Sequence, residues 1–272
     1  MKISFVVPTR NNARTLAACL GSLTNQTHPD VEVLVVDNGS TDATTAIARR
    51  FAGAVEQWGP ERSAQRNRGA ALSTGDVVVF IDSDMVLEPH VAAAIAERFV
   101  AEPATGALVI PERSFGEGFL ARCRELEKLL YVGDPAVESP RAFRREVIEK
   151  LGGWNEDLTA AEDWDLADRT REITTIGRVD AWIWHDEGRI QLRATFAKKR
   201  YYGRWIDQYV RMHADSSGDK FARTALFRRP GRLLRHPVLT AGLVTLKATE
   251  AAGLLAGVRD SRAATAAGGT PS

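Results

Sequence analysis

Only two cysteines, Cys19 and Cys123, occur in the 272 residues. Two thiols cannot form a disulfide framework, and they show no zinc-ligand spacing, so a reducing compartment fits. Charge of one sign is also scarce in net terms. Lys and Arg number 36 against 35 Asp and Glu, giving a formal +1, which argues against a dedicated nucleic-acid binder. The apolar run in Met1-Lys2-Ile3-Ser4-Phe5-Val6-Val7-Pro8 is too short for a signal peptide and reads as a buried first strand. The longest apolar stretch, Val238 to Val258, is interrupted by Lys247 and Glu250. A membrane span wants about 20 nearly uncharged residues, so this stretch reads as amphipathic or interfacial at most. No internal repeat is evident. With 44% hydrophobic and 26% charged residues, the chain has the composition of a soluble globular protein.

What is present is an alternation of strands and helices. Ile3–Val7, Val31–Val36, Val55–Trp58 and the run ending at Ile81 read as strands. Ala13–Leu23, Ala43–Phe51 and Ser63–Leu72 read as the helices between them. Such repeats imply parallel β-α-β units. Beyond Pro89, helices are expected over His90–Val100, Gly116–Tyr131 and Asp163–Glu172. Strands are expected over Ala107–Pro111 and Gly177–Trp184, and a short apolar-plus-charged element over Ala142–Leu151.

Asp82-Ser83-Asp84 ends the apolar run Val77-Val78-Val79-Phe80-Ile81. In an extended segment residues i and i+2 point the same way, so both acids could face one ligand. Ligands of open α/β sheets bind beyond the carboxyl ends of strands. Mg²⁺ or Mn²⁺ on a diphosphate needs only one or two carboxylates. A strand-end turn with two solvated acids is the plainer alternative.

Together with three further segments of the first half, this one resembles a known family. Val6-Val7-Pro8-Thr9-Arg10-Asn11, Val35-Val36-Asp37-Asn38-Gly39-Ser40-Thr41-Asp42, Arg66-Asn67-Arg68-Gly69 and Asp82-Ser83-Asp84 are similar to family 2 glycosyltransferases. Phe143-Arg144-Arg145, Leu151-Gly152-Gly153-Trp154-Asn155-Glu156 and Glu162-Asp163-Trp164-Asp165-Leu166 with Arg169 continue the likeness in the same order, over about residues 3 to 188. The resemblance implies a GT-A fold: an α/β, Rossmann-like three-layer α/β/α sandwich with a mostly parallel central sheet, here followed by a C-terminal helical extension. The expected domains are 1–188 catalytic (1–88 for the nucleotide sugar, 89–188 for acceptor and catalysis), 189–260 a basic aromatic extension, and 261–272 a disordered tail.

The resemblance also implies a nucleotide-diphospho-sugar donor, a divalent cation (Mn²⁺ or Mg²⁺) and inversion at the anomeric carbon. Its roles carry over residue by residue. Asp37 would accept from a base N–H, or simply open a turn. Pro8, Thr9 and Arg10 would frame the nucleoside. Arg66 would meet the diphosphate or base, or be a solvated surface arginine. Asp84 would ligate the metal, and Asp82 the metal or the donor's sugar side, with Ser83 between them. His185 would be a further metal ligand or a structural strand-end histidine. Trp154 would lie under the donor sugar or acceptor, or pack in the core. Of the acidic pair Glu162-Asp163, Asp163 would take the acceptor hydroxyl proton, with Asp165 as a rival and N-capping of the helix as the plain alternative.

Thirteen Lys or Arg fall between Arg189 and Arg235, interleaved with Phe196, Tyr201, Tyr202, Trp205, Tyr209, Phe221 and Phe227. Such a stretch suits an anionic membrane surface, or a solvated helical cap. The expected reading is a cytoplasmic enzyme, peripheral on the inner membrane face, whose acceptor is a hydroxyl of a glycan, glycolipid or lipid-linked sugar. Alternatives are a soluble small-molecule acceptor, a nucleotidyltransferase, or a non-catalytic nucleotide-sugar-binding module. Nucleotidyltransferases want a Gly-rich loop with a Lys after the first strand, which Pro8-Thr9-Arg10-Asn11-Asn12 lacks.

Overall fold

The computed structural model describes residues 1–212 and 230–266, with side chains over 1–206 and 230–264. These residues divide into two units. The first comprises Met1–Arg113, Ser139–Asp157 and Glu162–Asp186; the second comprises Ser114–Glu138, Leu158–Ala161 and the described residues from Glu187 onward.

The first unit is built on a seven-stranded sheet. Its strands are β1 (Ile3–Thr9), β2 (Val31–Asp37), β3 (Ala54–Gln57), β4 (Val77–Phe80), β6 (Thr105–Val109), β8 (Ala142–Arg144) and β9 (Thr175–Arg178), in the order β3-β2-β1-β4-β8-β6-β9. β8 runs antiparallel to β4 and β6, while the pairings of β1 with β2 and β4, β2 with β3, and β6 with β9 are parallel. The strands are nearly continuous apolar runs because both faces are covered. Alternate residues serve opposite faces. Ile3, Phe5, Val7, Val77, Val79 and Ile81 join one cluster with α1 (Leu16–Thr24), α2 (Thr44–Phe51) and α4 (Val91–Ala101). Val6, Val78, Phe80 and Phe143 join the other with α6 (Arg145–Lys150) and α7 (Glu162–Ile173).

On this second face α3 (Arg62–Leu72) lies close to the sheet: a Cβ built on Gly69 would come within 2.2 Å of Val6 Cγ1. Gly69→Ala must therefore lift α3 from β1. A loss of about 1–3 kcal/mol is expected in urea denaturation; an unchanged midpoint would contradict the close approach.

β1 and β4 are neighbours whose connections leave in opposite directions, so the sheet's switch point lies between Thr9 and Asp82. Beyond β4, the short β5 (Met85–Leu87) pairs antiparallel with β10 (Ile183–Arg189), His185 opposite Met85. The single strand expected over 177–184 is thus two strands, β9 and β10, broken at 179–182. Neither β5, three residues long, nor the polar β7 (Glu112–Glu117) carries a strand signature in the sequence.

In the second unit, α5 (Gly118–Tyr131), α8 (Leu192–Met212), α9 (Pro230–Arg235) and α10 (Pro237–Ala266) are helices. Segment 114–138, expected to belong with 89–188, groups with these C-terminal helices rather than with the first unit. α10 continues through 261–266, where a disordered tail was expected; 267–272 lie outside the described residues. α8 and α10 approach at glycines: a Cβ on Gly257 would meet Arg200 O at 2.1 Å, and one on Gly203 would meet Leu254 O at 2.4 Å.

Candidate active site

Asp82-Ser83-Asp84 lies at the carboxyl end of β4 but is a turn rather than extended chain, closed by Met85 N donating to Asp82 O at 3.0 Å. Ser83 locks the turn to the start of α1: its Oγ accepts from Asn12 Nδ2 at 2.6 Å and its O from Thr15 Oγ1 at 2.9 Å. The extended geometry on which both acids were expected to face one ligand is therefore absent. In a turn, i and i+2 lose their common direction, and the two carboxylates have different partners.

Asp82 is bracketed by two arginines. Arg66 Nη2 donates to Oδ1 at 2.7 Å, and Arg141 Nη1 lies 3.4 Å from Oδ2. Each arginine is tied to a second acid. Arg66 Nη1 lies 3.4 Å from Asp163 Oδ1 and 3.6 Å from Glu162 Oε1, while Arg141 donates to Glu112 through Nε at 2.7 Å. Burial alone would raise the Asp82 carboxyl, but Arg66, Arg141 and Arg62 outweigh it and hold the group well below the ordinary carboxylate range. With both oxygens committed, Asp82 is poorly suited to ligate a metal directly.

Arg66, far from being a solvated surface residue, is 1% exposed. Its Cζ sits 4.2 Å from the centroid of the Trp154 ring, which in turn packs edge-on to Phe80 at 5.3 Å. This corrects the sugar-platform reading of Trp154: the ring is buried, and Arg66 covers it. Glu162 is also buried, 2.8 Å from Arg62. Burial, and then Asp163, push its carboxyl up against the opposing pull of Arg62 and Arg66. A carboxylate enclosed in this way braces the arginines and cannot reach an acceptor, which corrects its assignment as a catalytic group. Asp163, one residue on in the first turn of α7, is 44% exposed. The rival Asp165 is buried and bound by Arg169 at 2.7 and 2.9 Å.

Asp84 and His185 meet at the other end of the turn, Asp84 Oδ2 lying 3.3 Å from His185 Nε2. Asp84 Oδ1 is a buried oxygen with no hydrogen-bond partner among the described residues. An imidazole and a carboxylate with an open oxygen suit a divalent cation such as Mn²⁺. No group of three or more His, Cys, Asp or Glu that could hold a metal occurs among the described residues. A cation here would therefore complete its shell from a ligand such as a diphosphate, as Mg²⁺-type sites do.

At the edge of β1 and β2, Thr9 pairs with Asp37, and both are buried. Asp37 accepts from Ser40 N at 2.9 Å and from Ser40 Oγ at 2.5 Å, so it does organise the turn. Gln65 Nε2 joins the two strand ends by donating to Thr9 O and Val36 O at 3.0 and 2.6 Å. Pro8 is buried within β1 and Arg10 is exposed. Beside them opens a cleft of about 430 Å³ lined by Asn38, Gly39, Gln57, Trp58 and Gly59.

Arg141, Glu112 and Gln65 are absent from the sequence reading. Arg141 precedes β8, and the antiparallel run of β8 beside β4 returns it to Asp82's edge, where Phe80 N donates to Arg141 O at 2.9 Å.

The family model described as glycosyl transferase family 2 matches residues 4–155. An uncharacterized glycosyltransferase of Nostoc sp. is 36% identical over 171 residues, covering 56% of this chain and 53% of that protein. A PGL/p-HBAD biosynthesis glycosyltransferase of Mycobacterium bovis is 31% identical over 175 residues, covering 60% and 67%. The chain thus spans about half the length of the first relative. Among solved structures, the mannosyltransferase PcManGT from Pyrobaculum calidifontis, in complex with GDP-Man and Mn²⁺, superposes with a TM-score of 0.62 at 24% identity, covering 98% of this chain and 79% of that one. The fold is GT-A.

Proposed function

The chain belongs to glycosyl transferase family 2, and on that footing we propose that it moves a sugar, with inversion, from a nucleotide-diphospho-sugar to an acceptor hydroxyl. The observation that carries this reading is the separation of two acids across one buried arginine. Arg66 joins Asp82 at the strand end to Asp163 at the helix start, so the metal end and the exposed carboxylate share one rigid frame.

Asp84 and His185 would hold Mn²⁺ or Mg²⁺ bound to the donor's diphosphate. Such a cation supplies Lewis-acid stabilisation of the leaving nucleoside diphosphate. Asp82 keeps Arg66 and Arg141 in place beside the donor. Thr9 and Asp37, with the cleft at Asn38 and Trp58, would receive the nucleoside. Asp163 accepts the acceptor hydroxyl proton as that oxygen bonds to the anomeric carbon and the bond from that carbon to the diphosphate oxygen breaks. The outgoing nucleoside diphosphate takes the electron pair. Transfer to a glycan, glycolipid or lipid-linked sugar, in the cytoplasm and peripheral on the inner membrane face, suits the basic stretch from Arg189. The part of that stretch over 213–229 lies outside the described residues. A soluble small-molecule acceptor is the second reading, since the site itself selects no acceptor class. A non-catalytic nucleotide-sugar-binding module would need Asp84 but not an exposed Asp163. A nucleotidyltransferase would need the Lys-bearing loop that Pro8–Asn12 does not provide.

Binding calorimetry tests the metal end. Even outer-shell partners of a metal cost about 10–100-fold in affinity when removed. Asp84→Asn should therefore weaken Mn²⁺-dependent binding of UDP or GDP at least tenfold, with His185→Ala in the same direction. Equal affinities for wild type and Asp84→Asn would remove the metal from this turn.

A further inference from the structure

By length and composition helix α10 could cross a membrane: the most apolar 18-residue stretch within Pro237–Ala264 has a mean hydropathy of 1.4. Its two mid-helix charges, however, are fastened to α5 within the second unit. Lys247 Nζ donates to Glu127 Oε1 at 2.8 Å, and Glu250 Oε1 accepts from Arg124 Nη2 at 2.5 Å. Tyr131 OH also donates to Glu127, at 2.8 Å. Burial raises the Glu250 carboxyl, but Arg124, Lys247 and Lys199 reverse this and hold it down to about 2. Breaking such a buried network by withdrawing one partner is strongly unfavourable. One side of α10 is thus fixed to the protein.

The opposite side is bare. Val238, Val244 and Leu255 are 69%, 63% and 60% exposed. Ala241, Ala248, Ala251 and Ala252 are exposed beside them. At 3.6 residues per turn, Val244, Ala248, Ala251 and Leu255 fall on one narrow stripe. Between Val238 and Val258 the only charged residues are Lys247 and Glu250, both turned to α5. The stripe ends in cations. Arg262 follows Val244 by five whole turns, and Arg259 follows Ala241 likewise, so both lie on the bare face, and both are exposed. At the other end, Leu234 and Arg235 of α9 are exposed, while Arg232, also exposed, donates through Nη1 to Leu129 O of α5 at 2.9 Å.

We propose that this face of α10 lies flat on an anionic lipid bilayer, its aliphatic stripe at the acyl boundary and its terminal arginines among the headgroups. A second copy of the chain is a poorer occupant. With arginines at both ends of the stripe, either direction of self-pairing sets like charges against each other. The assignment deepens the peripheral placement proposed above by naming the surface and the lipid charge. It does not depend on which reaction the other unit performs.

The full chain, with no donor added, is floated with vesicles of phosphatidylcholine alone and of phosphatidylcholine mixed with phosphatidylglycerol. Wild type should bind the mixed vesicles, and binding should weaken with salt. Val244→Glu with Leu255→Glu should lower that partitioning by about tenfold or more while leaving the thermal midpoint unchanged, since both side chains are exposed. Arg259→Ala with Arg262→Ala should weaken binding and flatten its salt dependence. No binding by wild type, or undiminished binding by the double glutamate variant, would overturn the proposal. So would light scattering in which the glutamates turn a dimer into a monomer. Failure of the transfer reaction would leave these outcomes unaffected, and the glutamate variant should release nucleoside diphosphate from a donor at the wild-type rate.

Discussion

Asp163→Asn is expected to lower kcat by about 10²–10⁴-fold, the range that a positioned general base contributes, while the Kd for nucleoside diphosphate with Mn²⁺ stays close to wild type. The carboxamide keeps the shape of the side chain, and its oxygen can still accept from Arg66 Nη1, now 3.4 Å from Asp163 Oδ1. What it loses is the capacity to take a proton. The neighbouring acids cannot substitute. Glu162 is enclosed with Arg62, and Asp165 is bound twice by Arg169. Steady-state transfer kinetics alongside calorimetry check this. A variant that transfers normally would move the base elsewhere, and one that no longer binds nucleotide would make Asp163 part of the donor site.

Arg66→Ala should cost about 3–5 kcal/mol of stability, because removing one partner of a buried ion pair leaves the others uncompensated. Asp82 would lose its shortest ion pair, Glu162 one of two flanking cations, and Trp154 the guanidinium that covers it. Arg66→Lys should recover little. One ammonium cannot bridge Asp82 and Asp163 in the manner of a planar fork, nor lie over the indole as a guanidinium does. Urea denaturation measures both variants. An alanine variant within 1 kcal/mol of wild type, on the scale of an exposed pair, would show that the arginine is not the strut between the two acids.

The sheet was legible because both faces of β1, β2 and β4 are covered, which writes them as unbroken apolar runs. Asp82 and Asp84 were legible for the same reason, at the end of β4, whereas Asp163 and His185 were legible only through the family resemblance, and His185 lies inside β10 rather than after the single strand expected over 177–184. Their partners were not. Asp82 and Arg141 are 59 residues apart, and only the antiparallel insertion of β8 brings them together. Local spacing carries no trace of that register. The turn at Ser83 hid behind an apolar run that reads as extended to its last residue. Arg66 looked like a surface arginine because its helix is rich in Arg and Ala; three acids and an indole explain its burial, and two of those acids lie nearly a hundred positions away. Lys247 and Glu250 were legible as a break in an apolar run, but α5 as their partner was not, because Arg124 and Glu127 sit in a helix of mixed polarity.

The proposed inverting transfer depends on the cation end at Asp84 and the proton acceptor at Asp163. It is tested most directly by incubating the full chain with a panel of α-linked UDP- and GDP-sugars and reading released nucleoside diphosphate and product configuration by NMR. At least one donor should be consumed with Mn²⁺ or Mg²⁺ and spared with EDTA or in Asp84→Asn, and its sugar should appear in the β configuration. Consumption of no donor with either cation, or a product that keeps the α configuration, would contradict the account.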